Sequence, residues 1–389
     1  MSHIISNTSR SLKFFDRDSG CLLSRAEALG LDAWDARLRN VDLDAHLRNG
    51  APPYPRPDQY ESVVGLFPIP ARTRWIWKDG RFSFHSPIQA PSPNLPAQPS
   101  LADLDRIAKR YLRHFRNRTV AVELSGGLDT AIIIELVRAA GGRPVLVGFF
   151  SDRYEFRTER AVQNLYLSGP EKVVTIPQTE VPPFADLEST PPHVLPAVPS
   201  LFHRLHSVIA DAARSSGATC VLNGVGGDAL LCDDFSGRHF PVDYHGWGLH
   251  DPWPNDNVYS TRGMSYIPAF ALWPIPELIW LMRKGRAEDP QKLWARRLFD
   301  GRLPTQLTRW SYKGDHVGHF HSGLQAAEEG ARVVAQTAYQ RTRSPALEPD
   351  TISAMIRRSM HLGDSDERRL LSLLSFATWV HALVREGIA

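Results

Sequence analysis

Apolar and polar residues between positions 101 and 230 follow a pattern that predicts strands alternating with helices. Short apolar runs typical of buried strands lie at residues 120–124, 144–150, 172–176 and 220–222. Around them lie segments with the length and spacing of helices, at residues 101–115, 131–140 and 159–167, and a helix end at 212–217. This alternation predicts an α/β fold, with a parallel sheet, helices on both faces and a ligand site at the carboxyl ends of the strands.

The residues before this region have a shorter, strand-like pattern. Residues 63–67, 75–77 and 81–84 alternate, and a hairpin-type turn at 78–80 joins the last two runs. Prolines at 91, 93, 96 and 99 mark an extended linker. We therefore expect a small β-rich domain at 1–95 and a larger domain at 96–389. Beyond about residue 244 the pattern predicts helices, including the apolar stretch 267–282, whose prolines and Glu277 argue against a membrane span.

Composition narrows the class of protein. A chain of 389 residues, 42% hydrophobic and 22% charged, can bury a full core. The formal net charge of +3 gives no reason to expect a nucleic-acid partner. Three widely spaced cysteines predict neither a disulfide framework nor a zinc site. The first residues lack the pattern of a secretion signal, so we expect a cytoplasmic location and no membrane partner.

A glycine turn joins the apolar run at 120–124 to the helix at 131–140. Its sequence is Ser125-Gly126-Gly127-Leu128-Asp129-Thr130. Such a turn directs backbone N–H groups and the positive end of the helix dipole at one spot, and Gly126 and Gly127 let a phosphate approach the backbone. The turn lacks the lysine of a Walker A loop and carries Asp129, which suits magnesium on pyrophosphate. The alternative is a βα turn in which the glycines serve shape alone.

Two segments downstream carry further candidate chemistry. A second glycine cluster follows the apolar run at 220–222 and reads Asn223-Gly224-Val225-Gly226-Gly227-Asp228-Ala229-Leu230. Taken alone, it could be a tight turn closed by a capping aspartate. The third segment, residues 303–315, contains Arg309 and Lys313. In most proteins such residues are surface cations.

Together, in this order, the three segments resemble a known superfamily. The first is similar to the pyrophosphate-releasing loop of N-type ATP pyrophosphatases, and the second, about one hundred residues later, to the SGxGxDE segment of asparagine synthetases. From about residue 102 to residue 321 the chain resembles the synthetase domain of asparagine synthetase B-like enzymes. Within that group, the Lys313-Gly314-Asp315 run looks most like that of a lasso-peptide macrolactam cyclase.

The resemblance implies an adenine nucleotide α-hydrolase-like fold and the cofactors ATP and Mg²⁺. Asp129 and Asp228 would be the magnesium ligands, and Lys313 and Arg309 would be catalytic. The implied nucleotide-binding residues are Leu124, Ser125, Gly126, Gly127, Leu128, Asp129, Thr130, Gly148, Phe149, Gly224, Gly226 and Gly227. Lys313 would stabilise the negative charge that develops on the phosphate and on the tetrahedral intermediate.

The implied reaction is ATP-dependent amide formation. An Asp or Glu side chain of a peptide would be adenylated and captured by the N-terminal amine of that peptide, giving a macrolactam, AMP and pyrophosphate. The implied partners are a precursor peptide, a leader-peptide-binding protein and a leader protease. Three alternatives stay open: an asparagine- or β-lactam-forming type of ligase for a small molecule, a nucleotide-thiolating enzyme, and a catalytically inactive binding module.

The chain departs from the family pattern in two places. Glutamine-hydrolysing members expose a cysteine at position 2, where this chain has Ser2, and the region before the phosphate loop is too short for a complete glutaminase domain. We therefore expect residues 1–95 to resemble a truncated, inactive glutaminase-type domain. Val225 stands where relatives place a tyrosine or glutamate, and Ala229 replaces the usual glutamate. Val225 cannot accept a proton.

The amine must therefore lose its proton to another group. Asp251, Asp256 and the leaving phosphate are the candidates, and the sequence does not choose among them. Two other questions also stay open. The histidines at 316, 319 and 321 have a spacing that fits no standard metal motif. The proline-rich run 181–200 is either a lid over the site or a connector.

Overall fold

The computed structural model describes residues 3–7, 13–19, 21–31, 34–39, 43, 47, 66–69, 73–79, 81–87, 94–151, 156–232, 256–272, 274–284, 286–309, 317–359 and 364–389. The strands within these residues are β1 (His3–Asn7), β2 (Lys13–Asp16), β3 (Leu22–Leu23), β4 (Leu66–Ile69), β5 (Thr73–Lys78), β6 (Arg81–Pro87), β7 (Thr119–Glu123), β8 (Arg143–Phe150), β9 (Lys172–Pro177), β10 (Cys220–Asn223) and β11 (Ser265–Pro268). The helices are α1 (Arg25–Leu29), α2 (Trp34–Arg39), α3 (Leu101–Tyr111), α4 (Leu128–Ala139), α5 (Arg157–Leu167), α6 (His203–Ser215), α7 (Gly227–Cys232), α8 (Asp256–Ser260), α9 (Ile275–Arg283), α10 (Leu293–Leu298), α11 (Thr305–Arg309), α12 (Val317–Ala326), α13 (Glu328–Thr342), α14 (Pro349–Arg357) and α15 (Asp364–Arg385).

A five-stranded parallel sheet, interleaved with helices, forms the centre of the α/β region. Its strand order is β11-β10-β7-β8-β9, so β7 lies in the middle. Side chains alternate across β7: Val120 and Val122 pack in the core formed with α3, α4 and α9, whereas Ala121 packs with α6 and α8. The strands and helices predicted between residues 101 and 230 are confirmed, with bounds shifted by one or a few residues.

Helix α4 is apolar on nearly every side because it is covered on nearly every side. It contacts β7, β8 and β10 with one face and α3 with another. Ile132, Ile133 and Ile134 are all buried as a result. A largely buried helix directly after β7 holds its first turn in a fixed position at the carboxyl edge of the sheet.

The prediction of helices beyond residue 244 is wrong for β11. This strand pairs in parallel with β10 at the edge of the sheet, with Cys220 opposite Ser265 and Leu222 opposite Ile267. Four residues are too few to show the period-two pattern of a strand, and the run ends at Pro268, which an edge strand tolerates. Pairing with β10, rather than local pattern, determines this element. The later part of the chain is helical, as predicted.

Two small antiparallel sheets lie in the N-terminal region, with strand orders β1-β5-β6 and β3-β2-β4. The predicted hairpin is formed by β5 and β6. These sheets and α2 share one hydrophobic core with α13 and α15, and the rings of Trp34 and Trp379 meet edge to face at 5.9 Å. The division of the chain at residue 95 stays a prediction.

The proline-rich run packs into that same core. Phe184, Leu187 and Leu195 are almost completely buried. This packing favours the connector over the lid. Among the described helices, none combines the length and the apolar composition needed to cross a membrane.

Candidate functional site

The first glycine turn folds as a tight loop between β7 and α4. Gly126 has φ +82°, and a Cβ at this position would lie 2.7 Å from the carbonyl oxygen of Glu159, so only glycine fits. The Ser125 hydroxyl accepts a hydrogen bond from the Gly127 N–H at 3.2 Å and lies 2.8 Å from the Thr130 hydroxyl. The loop thus places the N-terminus of a 12-residue helix at the carboxyl end of the central strand.

The second glycine loop packs directly against the first. It begins at Asn223, whose side-chain oxygen accepts a hydrogen bond from the Val225 N–H at 2.9 Å. Gly226 has φ +83°, and a Cβ on Gly227 would lie 2.6 Å from a carboxylate oxygen of Asp129. A side chain at 227 would therefore displace Asp129. The two glycine loops are about one hundred residues apart in the sequence and are neighbours in the fold.

Lys292 joins the two predicted magnesium ligands. Its Nζ lies 2.6 and 2.7 Å from the two carboxylate oxygens of Asp129 and 2.6 Å from Oδ1 of Asp228. Burial lowers the pKa of Lys292, but the hydrogen bonds and charges of the two aspartates outweigh it, so that the pKa is raised overall. Lys292 is an ammonium ion at neutral pH, between two carboxylates. Sequence reasoning missed it.

The local backbone explains how Lys292 reaches this position. Lys292 has φ 55°, in the left-handed region, and precedes the first residue of α10. Asp289 holds the turn: its carbonyl accepts from the Lys292 N–H at 2.9 Å and its carboxylate from the Trp294 N–H at 3.1 Å. The Trp294 indole donates to the carbonyl of Leu231 in α7, the helix that carries Asp228. A lysine held in the left-handed region at a cost of roughly 1–3 kcal/mol is typical of a functional position.

The donor set fits one Mg²⁺ ion. Carboxylates from the two glycine loops converge on one point, and the Asp228 side chain is 64% exposed, so solvent and phosphate oxygens can reach it. Mg²⁺ in ATP sites is usually held by one or two carboxylates together with phosphate oxygens and water. The described part of the chain contains no cluster of three or more His, Cys, Asp or Glu side chains able to hold a metal. Asp129 and Asp228 are the two described carboxylates placed to hold such an ion.

The predicted nucleotide-binding residues of β8 lie beside the first glycine turn. A Cβ on Gly148 would lie 2.4 Å from the Leu124 carbonyl oxygen, so the two strand ends approach as closely as glycine allows. The Gln163 side chain donates to the carbonyls of Leu124 and Phe149 at 3.2 Å each, which fixes these strand ends together. Gln163 is a second positioning residue that sequence reasoning missed. The sequence offered only a weak indication of this role, a glutamine on the buried face of an amphipathic helix.

Other predicted residues lie on separate elements or outside the described residues. Arg309 is the last residue of α11 and is exposed. Asp256 begins α8, and α12 contains the histidines at 319 and 321. The remaining candidates lie outside the described residues: Lys313, Ser2, Asp251 and His316.

No family model matches the chain, and no curated protein matches it significantly. The chemistry of this site is therefore inferred from the residues and geometry above.

Proposed function

We propose that the chain is an ATP-dependent, AMP-forming carbon–nitrogen ligase with an adenine nucleotide α-hydrolase-like fold. The observation that carries this proposal is the convergence of Asp129 and Asp228 on one cation position at the N-terminus of α4. Two carboxylates and a helix N-terminus at one sheet edge suit the triphosphate of a nucleotide and its metal.

Each part of the site has a role in this proposal. The turn Ser125–Thr130 and the first turn of α4 bind phosphate oxygens through backbone N–H groups. The glycines at 224, 226 and 227, with Gly148 and Phe149, line the nucleotide. Asp129 and Asp228 would hold Mg²⁺, and the ion would supply positive charge for the departing pyrophosphate. Lys292 supplies a positive charge between the same two carboxylates before the ion binds.

The reaction follows in two steps. A substrate carboxylate attacks the α-phosphorus of ATP, and pyrophosphate leaves. An amine then attacks the acyl carbon, and AMP leaves. Lys313 stabilises the charge of both transition states, since fixed electrostatic groups usually contribute most to such chemistry.

The substrate in this proposal is a peptide, as for a lasso-peptide cyclase. The carboxylate is an Asp or Glu side chain, and the amine is the N-terminus of the same peptide. Holding both ends in one site supplies the effective molarity that ring closure requires. In this proposal the enzyme lies in the cytoplasm, and its partners are a leader-peptide-binding protein and a leader protease.

The test is pyrophosphate release from Mg-ATP with synthetic peptides that carry one Asp or Glu and a free N-terminal amine. We expect release by the wild-type enzyme and a product lighter than the peptide by one water. Asp129→Asn and Asp228→Asn should each lower release at least about 100-fold. Asp211→Asn is the matched control, since Asp211 pairs with Arg262 at the surface and should leave release unchanged. Full turnover by either site variant contradicts the metal assignment.

A further inference from the structure

A buried carboxylate lies beside the phosphate loop and has no role in the scheme above. Glu123 is the last residue of β7, two positions before Ser125. Its side chain shares the face of Ala121, the face covered by α6 and α8. Tyr259 and Tyr266 donate hydrogen bonds to its two carboxylate oxygens, at 3.4 and 3.3 Å.

Four side chains from four elements form this network, which we call the Glu123 network: Glu123, His206, Tyr259 and Tyr266. The rings of Tyr259 and Tyr266 stack at 4.3 Å with an interplanar angle of 8°. His206 Nδ1 lies 3.1 Å from the Tyr259 hydroxyl and 4.0 Å from Glu123. The network thus joins β7, α6, α8 and β11 around one carboxylate.

Burial sets the protonation of this network. It raises the pKa of Glu123 to about 7, although the hydrogen bonds from Tyr266 and Tyr259 oppose the rise. Burial lowers the pKa of His206 to about 3 and that of His203, one turn away on α6, to about 4. The positive charge of Arg262 lowers the pKa of His203 further. Both histidines are neutral at pH 7, so Glu123 is the group of the network that gains and loses a proton there.

Glu123 is partly buried and remains accessible to solvent. Its side chain keeps 23% of its surface accessible, enough for contact with a reacting group or a water. β10 pairs in parallel with β7, with Leu222 beside Val122, and the next residues of the two strands are Asn223 and Glu123. Asn223 begins the loop that carries Val225, the position without a proton-accepting side chain. Glu123 is therefore a proton-accepting carboxylate at the same edge of the sheet as the loop of Val225, which cannot accept a proton.

We propose that Glu123 accepts the proton that the amine loses as the amide forms, and that Tyr259 and Tyr266 position its carboxylate. This inference rests on the proposed function. The neutral amine nitrogen attacks the acyl carbon and forms the C–N bond. The bond from that carbon to the AMP oxygen breaks, and AMP leaves with its electron pair. The proton from nitrogen passes to the Glu123 carboxylate, which later releases it to solvent.

The first test separates adenylation from amide formation in Glu123→Gln. Hydroxylamine captures an acyl-adenylate without help from a base, so hydroxamate formation reports adenylation alone. With a peptide on which the wild-type enzyme releases pyrophosphate, the variant should form hydroxamate within about threefold of wild type. Its cyclic product should form about 100- to 10,000-fold more slowly, the range expected for a lost general base.

The matched control is Glu135→Gln, because Glu135 lies on α4 and pairs with Arg138 and Arg302, away from this face. It should change neither rate. Thermal unfolding shows whether each variant is folded. Equal loss of hydroxamate and cyclic product in a folded Glu123→Gln protein overturns the inference, and so does full cyclisation. Absence of pyrophosphate release by the wild-type enzyme instead contradicts the proposed function.

The second test shifts the pKa of Glu123 without removing its carboxylate. Cyclisation should fall below about pH 7 as Glu123 becomes protonated. Tyr266→Phe removes a hydrogen bond that stabilises the carboxylate, so the acid limb should move up by about one pH unit. Difference infrared spectra of the free enzyme should show the same shift in the carboxyl band that Glu123→Gln removes. An acid limb that stays fixed in Tyr266→Phe contradicts the assignment, even if Glu123→Gln fails to fold.

Discussion

At the scale of single residues, Lys292 determines the charge of the site. Its ammonium lies at the point on which Asp129 and Asp228 converge, with hydrogen-bond distances of 2.6–2.7 Å. An Mg²⁺ ion held by the same oxygens must displace this ammonium or share the carboxylates with it. Lys292 therefore holds the two loops together through its contacts with both aspartates.

The first prediction concerns this competition. Lys292→Met should bind Mg²⁺ at least about tenfold more tightly in the absence of ATP, since a positive charge about 4 Å away costs a cation several kcal/mol. The same variant should be slower in pyrophosphate release. Isothermal titration with MgCl₂ measures the affinity. Lys172→Met, on exposed β9, is the control. Unchanged Mg²⁺ affinity in Lys292→Met would show that the metal does not use these oxygens.

A second residue-scale prediction concerns the stability cost of Glu123. Its pKa is about 7 in the folded protein against 4.5 ordinarily, so its contribution is fully present below pH 4.5 and is lost as pH rises through 7. The loss is about 3 kcal/mol. Glu123→Gln keeps hydrogen-bonding capacity without ionising, so it should be more stable than wild type at pH 8 and similar at pH 4. Urea unfolding at the two pH values measures this. If Glu123→Gln is instead destabilised relative to wild type, and more so at pH 8 than at pH 4, Glu123 has a structural role.

At the scale of elements, helix α6 makes the fold sensitive to acid. His206 and His203 have folded pKa values of about 3 and 4 against an ordinary 6.5. Groups with lowered pKa contribute stability that is present above pH 6.5 and is lost as pH falls toward the folded value. The direction is opposite to that of Glu123, which faces the same helix.

The third prediction isolates His206. His206→Gln should reduce the acid-dependent loss of unfolding free energy by about 3 kcal/mol between pH 6.5 and pH 4, since the folded protein no longer has to exclude a proton there. Subtracting the variant's unfolding free energy from that of wild type at each pH removes the contribution of Glu123. A difference that is flat with pH would mean that His206 is not held neutral by burial.

Elements also show how far local sequence carries structural information. The strands from β7 to β10 and the helices between them were predictable because each contains an apolar run with the length and flanking residues of its type. Strand β11 was not, because four residues ending in proline carry no period, and only pairing with β10 defines them. Glu123 was read as part of an apolar run, since the tyrosines that contact it lie 136 and 143 residues away.

At the scale of the whole molecule, the site depends on contacts between distant segments. The proximity of the two aspartates was predictable because each lies in a glycine loop that follows a strand of the same sheet. Lys292 was not, because it contacts Asp129 across 163 residues and depends on a left-handed backbone that no local pattern indicates. The core shared by the N-terminal sheets with α13 and α15 was missed for the same reason.

The measurement that tests the central claim most directly follows oxygen atoms through the reaction. A peptide with ¹⁸O in its Asp or Glu carboxylate is incubated with the enzyme and Mg-ATP, and the nucleotide and phosphate products are analysed by mass spectrometry. Attack of the carboxylate on the α-phosphorus transfers one label to AMP as the amide forms, with unlabelled pyrophosphate as the other product. Label in inorganic phosphate with ADP as the nucleotide product, or amide formation with unlabelled AMP, would contradict adenylation at this site.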